Sequence, residues 1–147
     1  MSPNESCILE VEDDKSQAFL LQYAFEQAGI TNAVHVATDG QMAIEYLAGS
    51  GPFADRVKYP LPKLVMLDLN LPRKTGLEVL EWTRQQPALK RLVVILFTSS
   101  CLPADIDRAY DLGANSFIQK PADLADALEM AQLLKGWWLG YNHFAVV

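Results

Sequence analysis

Residues 64–72 read LVMLDLNLP. Seven of the nine positions are apolar, yet Asp68 sits among them. An ionised carboxylate in apolar surroundings is costly unless it is paired or holds a metal ion. The run LVML before it lacks polar alternation, as expected for a central strand buried on both faces of a parallel sheet. The strand then ends at the charge, and Asp68 falls at the edge of the sheet rather than inside it.

Four further apolar runs flank this one: CILEV (7–11), AVHVA (33–37), LVVILF (92–97) and SFIQ (116–119). Segments with helical spacing separate them. Residues 15–28 carry Phe19, Leu20, Tyr23, Ala24 and Gln27 and stop at Gly29. Residues 39–48 open on Asp39 as an N-cap and end at Gly49. Residues 75–86 are closed by Pro87, residues 103–112 start at Pro103 and stop at Gly113, and residues 122–136 form the last helix. This fivefold strand–helix alternation predicts an α/β domain with helices on both faces of a parallel sheet. The Gly- and Pro-rich segment 49–62 reads as a loop.

A chain of 147 residues fits one ordinary domain, and its apolar half suffices for a core. The net charge of −6 argues against a general nucleic-acid role, since phosphate binding needs a basic face. No run reaches the roughly 18 apolar residues of a membrane span. Cys7 and Cys101 make neither a disulfide framework nor a zinc site, and Cys7 is expected to pack as a small hydrophobe. With no signal peptide in MSPNES, the expected compartment is the cytoplasm.

In open α/β sheets, function collects beyond the carboxyl ends of the strands. Glu12, Asp13 and Asp14 follow the first run, and Asp68 ends the third. Thr98 and Ser99 follow the fourth, Lys120 and Pro121 the fifth. Clustered carboxylates with no soft ligand suit Mg²⁺. Asp68 could act as a nucleophile toward phosphorus, with Mg²⁺ and Lys120 neutralising the developing charge and Thr98 donating to a phosphoryl oxygen. Each residue also has a plainer reading. Asp68 taken alone reads as a turn or cap residue, the acidic triplet as a solvated helix start with Asp14 as cap, and Lys120 as the ion-pair partner of Asp68.

Four pieces together, ILEVEDD (8–14), LVMLDLNLPRKTG (64–76), ILFTSS (95–100) and FIQKP (117–121), resemble the receiver domain of two-component response regulators. The resemblance spans about residues 6–135. It implies a flavodoxin-like, doubly wound five-stranded parallel sheet of order 2-1-3-4-5. It also implies roles by position. Asp68 matches the phosphoacceptor. Glu12 and Asp13 match the Mg²⁺-holding pair, with Asp68 and the Asn70 backbone carbonyl as further ligands. Thr98 matches the switch hydroxyl, Lys120 the phosphate-contacting lysine and Phe117 the switch aromatic. The Lys120–Pro121 peptide is typically cis in that family. The implied donor is a phosphohistidine on a sensor histidine kinase. The receiver would catalyse only its own phosphorylation and its hydrolysis.

Residues 1–135 then form the receiver and 136–147 a C-terminal extension, GWWLGYNHFAVV, with no second DNA-binding domain expected. This extension is aromatic and uncharged, so it is expected to be buried, on its own domain or on a partner. The extension and the 49–62 loop resemble the stand-alone response regulators of cyanobacterial and bacterial phytochromes. Those form homodimers through the face of the fourth helix, fifth strand and fifth helix. Trp137, Trp138, Tyr141 and Phe144 are the candidate interface residues. Two rivals stand beside this reading. A phosphatase of the haloacid dehalogenase class also uses an Asp nucleophile, but it wants a second Asp where Asn70 stands. A dimeric adaptor would bind partners regardless of phosphorylation.

Overall fold

The computed structural model describes residues 6–147. Five parallel strands, β1 (Ile8–Val11), β2 (Val34–Ala37), β3 (Leu64–Leu67), β4 (Val93–Thr98) and β5 (Ser116–Gln119), form one sheet of order β2-β1-β3-β4-β5. Five helices alternate with them: α1 (Lys15–Gln27), α2 (Gly40–Ala48), α3 (Gly76–Gln85), α4 (Pro103–Asp111) and α5 (Leu124–Gly136). This is the flavodoxin-like, doubly wound order that the resemblance implies. β1, β3 and β4 are buried throughout; the apolar runs of β3 and β4 require it, whereas β1 buries Glu10 with its apolar residues.

Side chains of a strand alternate between the two faces, and the core divides accordingly. Leu9, Val11, Val65, Leu67, Val94 and Leu96 pack on one face against α2, α3 and α4. Ile8, Leu64, Met66, Val93, Ile95 and Phe97 pack on the other against α1 and α5. This parity decides which rim residues can meet.

Local chemistry sets the helix starts. Asp14 accepts from the Ser16 and Gln17 backbone N–H groups and Asp39 from that of Met42. Thr75 and Glu78 form a reciprocal capping box, and Pro103 opens α4. α5 begins two residues later than its spacing predicts, because Asp123 caps it by accepting from the Asp126 N–H. The 49–62 segment is an ordered loop. Arg56 donates to the carbonyls of Tyr46, Leu47 and Tyr59, while Phe53 and Tyr59 pack against the buried Tyr46 ring.

Two features differ from expectation or sharpen it. The Lys120–Pro121 peptide is trans, not cis, in keeping with the intrinsic preference of an X–Pro bond. The extension continues α5 as a single wide turn, Trp137–Tyr141, closed by the Asn142 N–H on the Trp137 carbonyl at 2.7 Å. Trp138, Leu139 and Phe144 then pack on the α1–α5 side of the core, with the Lys63 ammonium 5.0 Å from the Phe144 ring. Trp137 and Tyr141 remain 60% and 82% exposed. Of the four candidate interface residues, two are therefore turned onto their own domain and two toward solvent.

Candidate functional site

Hydrogen bonds of the sheet run one residue past the strands and carry the rim residues into place. The Glu12 N–H donates to Ala37 O (3.0 Å), Asp68 to Val11 O (3.2 Å) and Lys120 to Thr98 O (2.8 Å). Glu12 lies two residues beyond Glu10 and four beyond Ile8, so it shares their face. Asp68 follows Met66 in the same way, and Lys120 follows Ile118. All three emerge on the α1–α5 side and meet there.

Lys120 is the hub. Its ammonium donates to Glu12 Oε1 at 2.5 Å, to Asp68 Oδ2 at 2.8 Å and to Gln17 Oε1. Its charge also lies 5.9 Å from the centre of the Phe97 ring, within cation–π range. Glu12 and Asp68 are both buried, while Asp13 is exposed. Burial pushes the Glu12 carboxyl above its ordinary range, and Lys120 opposes that. Burial would lower the pKa of Lys120, but hydrogen bonds to Asp68 and Glu12 outweigh it and hold the ammonium charged.

One carboxylate oxygen from each of Glu12, Asp13 and Asp68 lies within 4.8 Å of the other two. Three hard oxygen donors, with no sulfur or imidazole among them, form a set that fits a hard divalent cation of the Mg²⁺ or Mn²⁺ type. Asn70 is exposed, and its backbone N–H donates to Asp68 Oδ1 at 3.3 Å. Gly76, at the start of α3, packs so closely that a Cβ there would fall 2.0 Å from the Asp68 carbonyl oxygen.

Thr98 and Phe117 belong to the other face. Phe117 pairs with Leu96 in the register of β4 and β5 and packs on the α2–α3–α4 core. Thr98 is fully buried, and its Oγ1 accepts from the Ser100 N–H at 3.3 Å. Ser100 in turn donates to Asp105 Oδ2 in the first turn of α4 at 2.9 Å.

Two polar neighbours were not singled out from the sequence. Gln17 reaches Lys120 across the gap between α1 and β5, which no local pattern announces. Glu10 is 2% exposed, among the described residues Gln22 donates to it at 3.4 Å, and burial raises its pKa from 4.5 to about 8. Its signal was legible, since an acid two residues before Glu12 must share its face.

Residues 8–132 match the response regulator receiver domain. Response regulator Rcp1 of Synechocystis sp. is 36% identical over 132 residues, which span 90% of this chain and 88% of Rcp1. A solved structure of Rcp1 is a Mn(2+)-bound form, with a TM-score of 0.86 at 34% identity, covering 95% of this chain and 99% of that one. The phosphorylated cyanobacterial phytochrome response regulator RcpA matches with a TM-score of 0.88 at 34% identity, over 95% of this chain and 98% of its own. RPA3017, a response regulator in red light signaling of R. palustris, matches with a TM-score of 0.91 at 32% identity, over 97% and 99%.

Proposed function

Because this chain belongs to the response regulator receiver domain family, we propose that it is a signalling receiver that is phosphorylated on Asp68. The observation that supports this most is the junction of Lys120 with Glu12 and Asp68, with Asp13 beside it at the same rim. A carboxylate oxygen of Asp68 attacks phosphorus and forms an O–P bond. The P–N bond of a kinase phosphohistidine breaks, and the imidazole nitrogen takes the electron pair. Lys120 neutralises charge on the phosphoryl oxygens, and the Thr98 hydroxyl donates to one of them. Glu12, Asp13 and Asp68, with the Asn70 carbonyl, would hold Mg²⁺, which supplies further neutralisation when bound.

Output follows from a population shift. Drawing Thr98 toward the phosphoryl group frees its Oγ1 from the Ser100 N–H, and Phe117, on the same face of the sheet, moves into the space released. The protein catalyses only its own phosphorylation and dephosphorylation. Its donor is a sensor histidine kinase in the cytoplasm, and the red-light and phytochrome regulators among its structural relatives support a bacterial phytochrome in that role. No helix among the described residues is long and apolar enough to cross a membrane. A homodimer through the face of α4, β5 and α5 is supported by a groove of about 460 Å³ beside α5. Ile118, Met130, Leu133 and the exposed Trp137 line it.

Incubation with Mg²⁺ and acetyl phosphate tests this reading. An acid-stable, base-labile adduct is expected on the wild type and none on Asp68→Asn. An adduct on the variant, no adduct on the wild type, or sustained turnover of a phosphate ester would each overturn it.

A further inference from the structure

We propose that Gln17 is a positioning residue for Lys120: its amide oxygen holds the lysine ammonium at the Asp68 rim independently of the carboxylates. The inference rests on the reading of Asp68 as phosphoacceptor. An ammonium has three N–H donors, and here all three are engaged, by Glu12 Oε1, Asp68 Oδ2 and Gln17 Oε1. Two of these acceptors belong to the acid triad that fits a divalent cation. A cation drawing on Glu12 and Asp68 competes with Lys120 for the same two carboxylates. Gln17 stands outside the triad and carries no charge, so it keeps its hydrogen bond when that competition begins.

The backbone at position 17 is fixed for this task. Asp14 Oδ1 caps α1 by accepting from the Ser16 N–H at 2.8 Å and the Gln17 N–H at 3.1 Å. The cap therefore ties the side chain reaching Lys120 to the residue that follows Glu12 and Asp13 in the chain. On the far side, the lysine passes over Phe97 and borders a cavity of about 340 Å³ that Gln17, Leu20, Leu21 and Met130 also line. Besides Gln17, the polar side chain bordering this cavity is Ser99, and the hydrogen bonds of the Lys120 ammonium go to Glu12, Asp68 and Gln17, so without Gln17 its third N–H turns to solvent.

Two substitutions separate the hydrogen bond from the fold. Gln17→Met is nearly isosteric, suits an exposed helix position and lacks an acceptor oxygen, whereas Gln17→Glu keeps one. In the metal-free protein, an amine-detecting ¹H–¹⁵N spectrum should show a resolved Lys120 ammonium signal for wild type and Gln17→Glu, and lose it by fast exchange in Gln17→Met. With Mg²⁺ and acetyl phosphate, Gln17→Met should label Asp68 about three- to tenfold more slowly than wild type. If wild type labels and Gln17→Met matches it in both signal and rate, the positioning role is wrong while the reading of Asp68 stands. If wild type itself fails to label, that reading has failed.

Discussion

Glu10 and Glu12 leave β1 on the same face and differ in what meets them. Glu12 finds the Lys120 ammonium at 2.5 Å. Glu10 finds one side-chain amide, Gln22, and senses Glu12 and Lys120 only through space. Below about pH 4.5 the Glu10 carboxyl is protonated in folded and unfolded chains alike, and adds no pH dependence. Between 4.5 and about 8 the unfolded chain releases a proton that the folded chain keeps, so stability falls as pH rises and levels off above that range. Glu10→Gln should therefore raise stability at pH 8 by on the order of 3 kcal/mol and change little at pH 4, as read by urea denaturation at both values. Gly76 sets a second constraint. A methyl group there would overlap the Asp68 carbonyl, so Gly76→Ala should cost on the order of 3 kcal/mol in the same assay and displace the loop that carries Asp68. The places of Glu12, Asp68 and Lys120 were legible in the sequence because each directly follows a strand, with Asp13 next after Glu12, and strand ends lie on one edge. Gln17 was not, because its role depends on side-chain reach between elements far apart in the chain.

Helix boundaries were legible wherever a cap is encoded locally, as at Asp14, Asp39 and Pro103. The start of α5 was read two residues early, because Ala122 suits a helix while Asp123 is the residue that caps it. The 49–62 loop shows the opposite case, where composition reports an absence of regular structure but not its order. The guanidinium fork of Arg56 binds the last carbonyls of α2, at Tyr46 and Leu47, both at 2.8 Å, and Tyr59 O at 3.2 Å. A lysine cannot reproduce that fork. Arg56→Ala and Arg56→Lys should each lower stability by about 1–3 kcal/mol, and limited proteolysis should cut within 49–62 faster than in wild type. Unchanged cleavage would show that the aromatic contacts of Tyr46, Phe53 and Tyr59 hold the loop alone.

The order of the strands was not written in any single run. Alternation predicts a parallel sheet, and only the resemblance carried by the four motifs implied 2-1-3-4-5. That order places β1 beside β3, so that Glu12 and Asp68 become neighbours. The extension presents two faces. Trp138, Leu139 and Phe144 cover the α1–α5 core, so a chain ending at Lys135 should lose about 2–4 kcal/mol of stability by denaturant titration. Trp137→Glu with Tyr141→Glu touches only exposed rings. It should leave the melting temperature near that of wild type while weakening the proposed homodimer, as read by light scattering at micromolar concentration. A dimer that survives the double substitution would remove these two rings from the interface. Lys120 and the Asn70 N–H both meet the carboxylate of Asp68, the phosphoacceptor proposed above. Borohydride reduction of the acetyl phosphate-treated protein, followed by peptide mass mapping, reads the phosphorylated residue directly, because an acyl phosphate is reduced to the alcohol. Conversion of Asp68 to homoserine, and of no other acidic residue, is the expected result. Reduction at Glu12, at Asp13 or at no residue would contradict the assignment of Asp68 as phosphoacceptor.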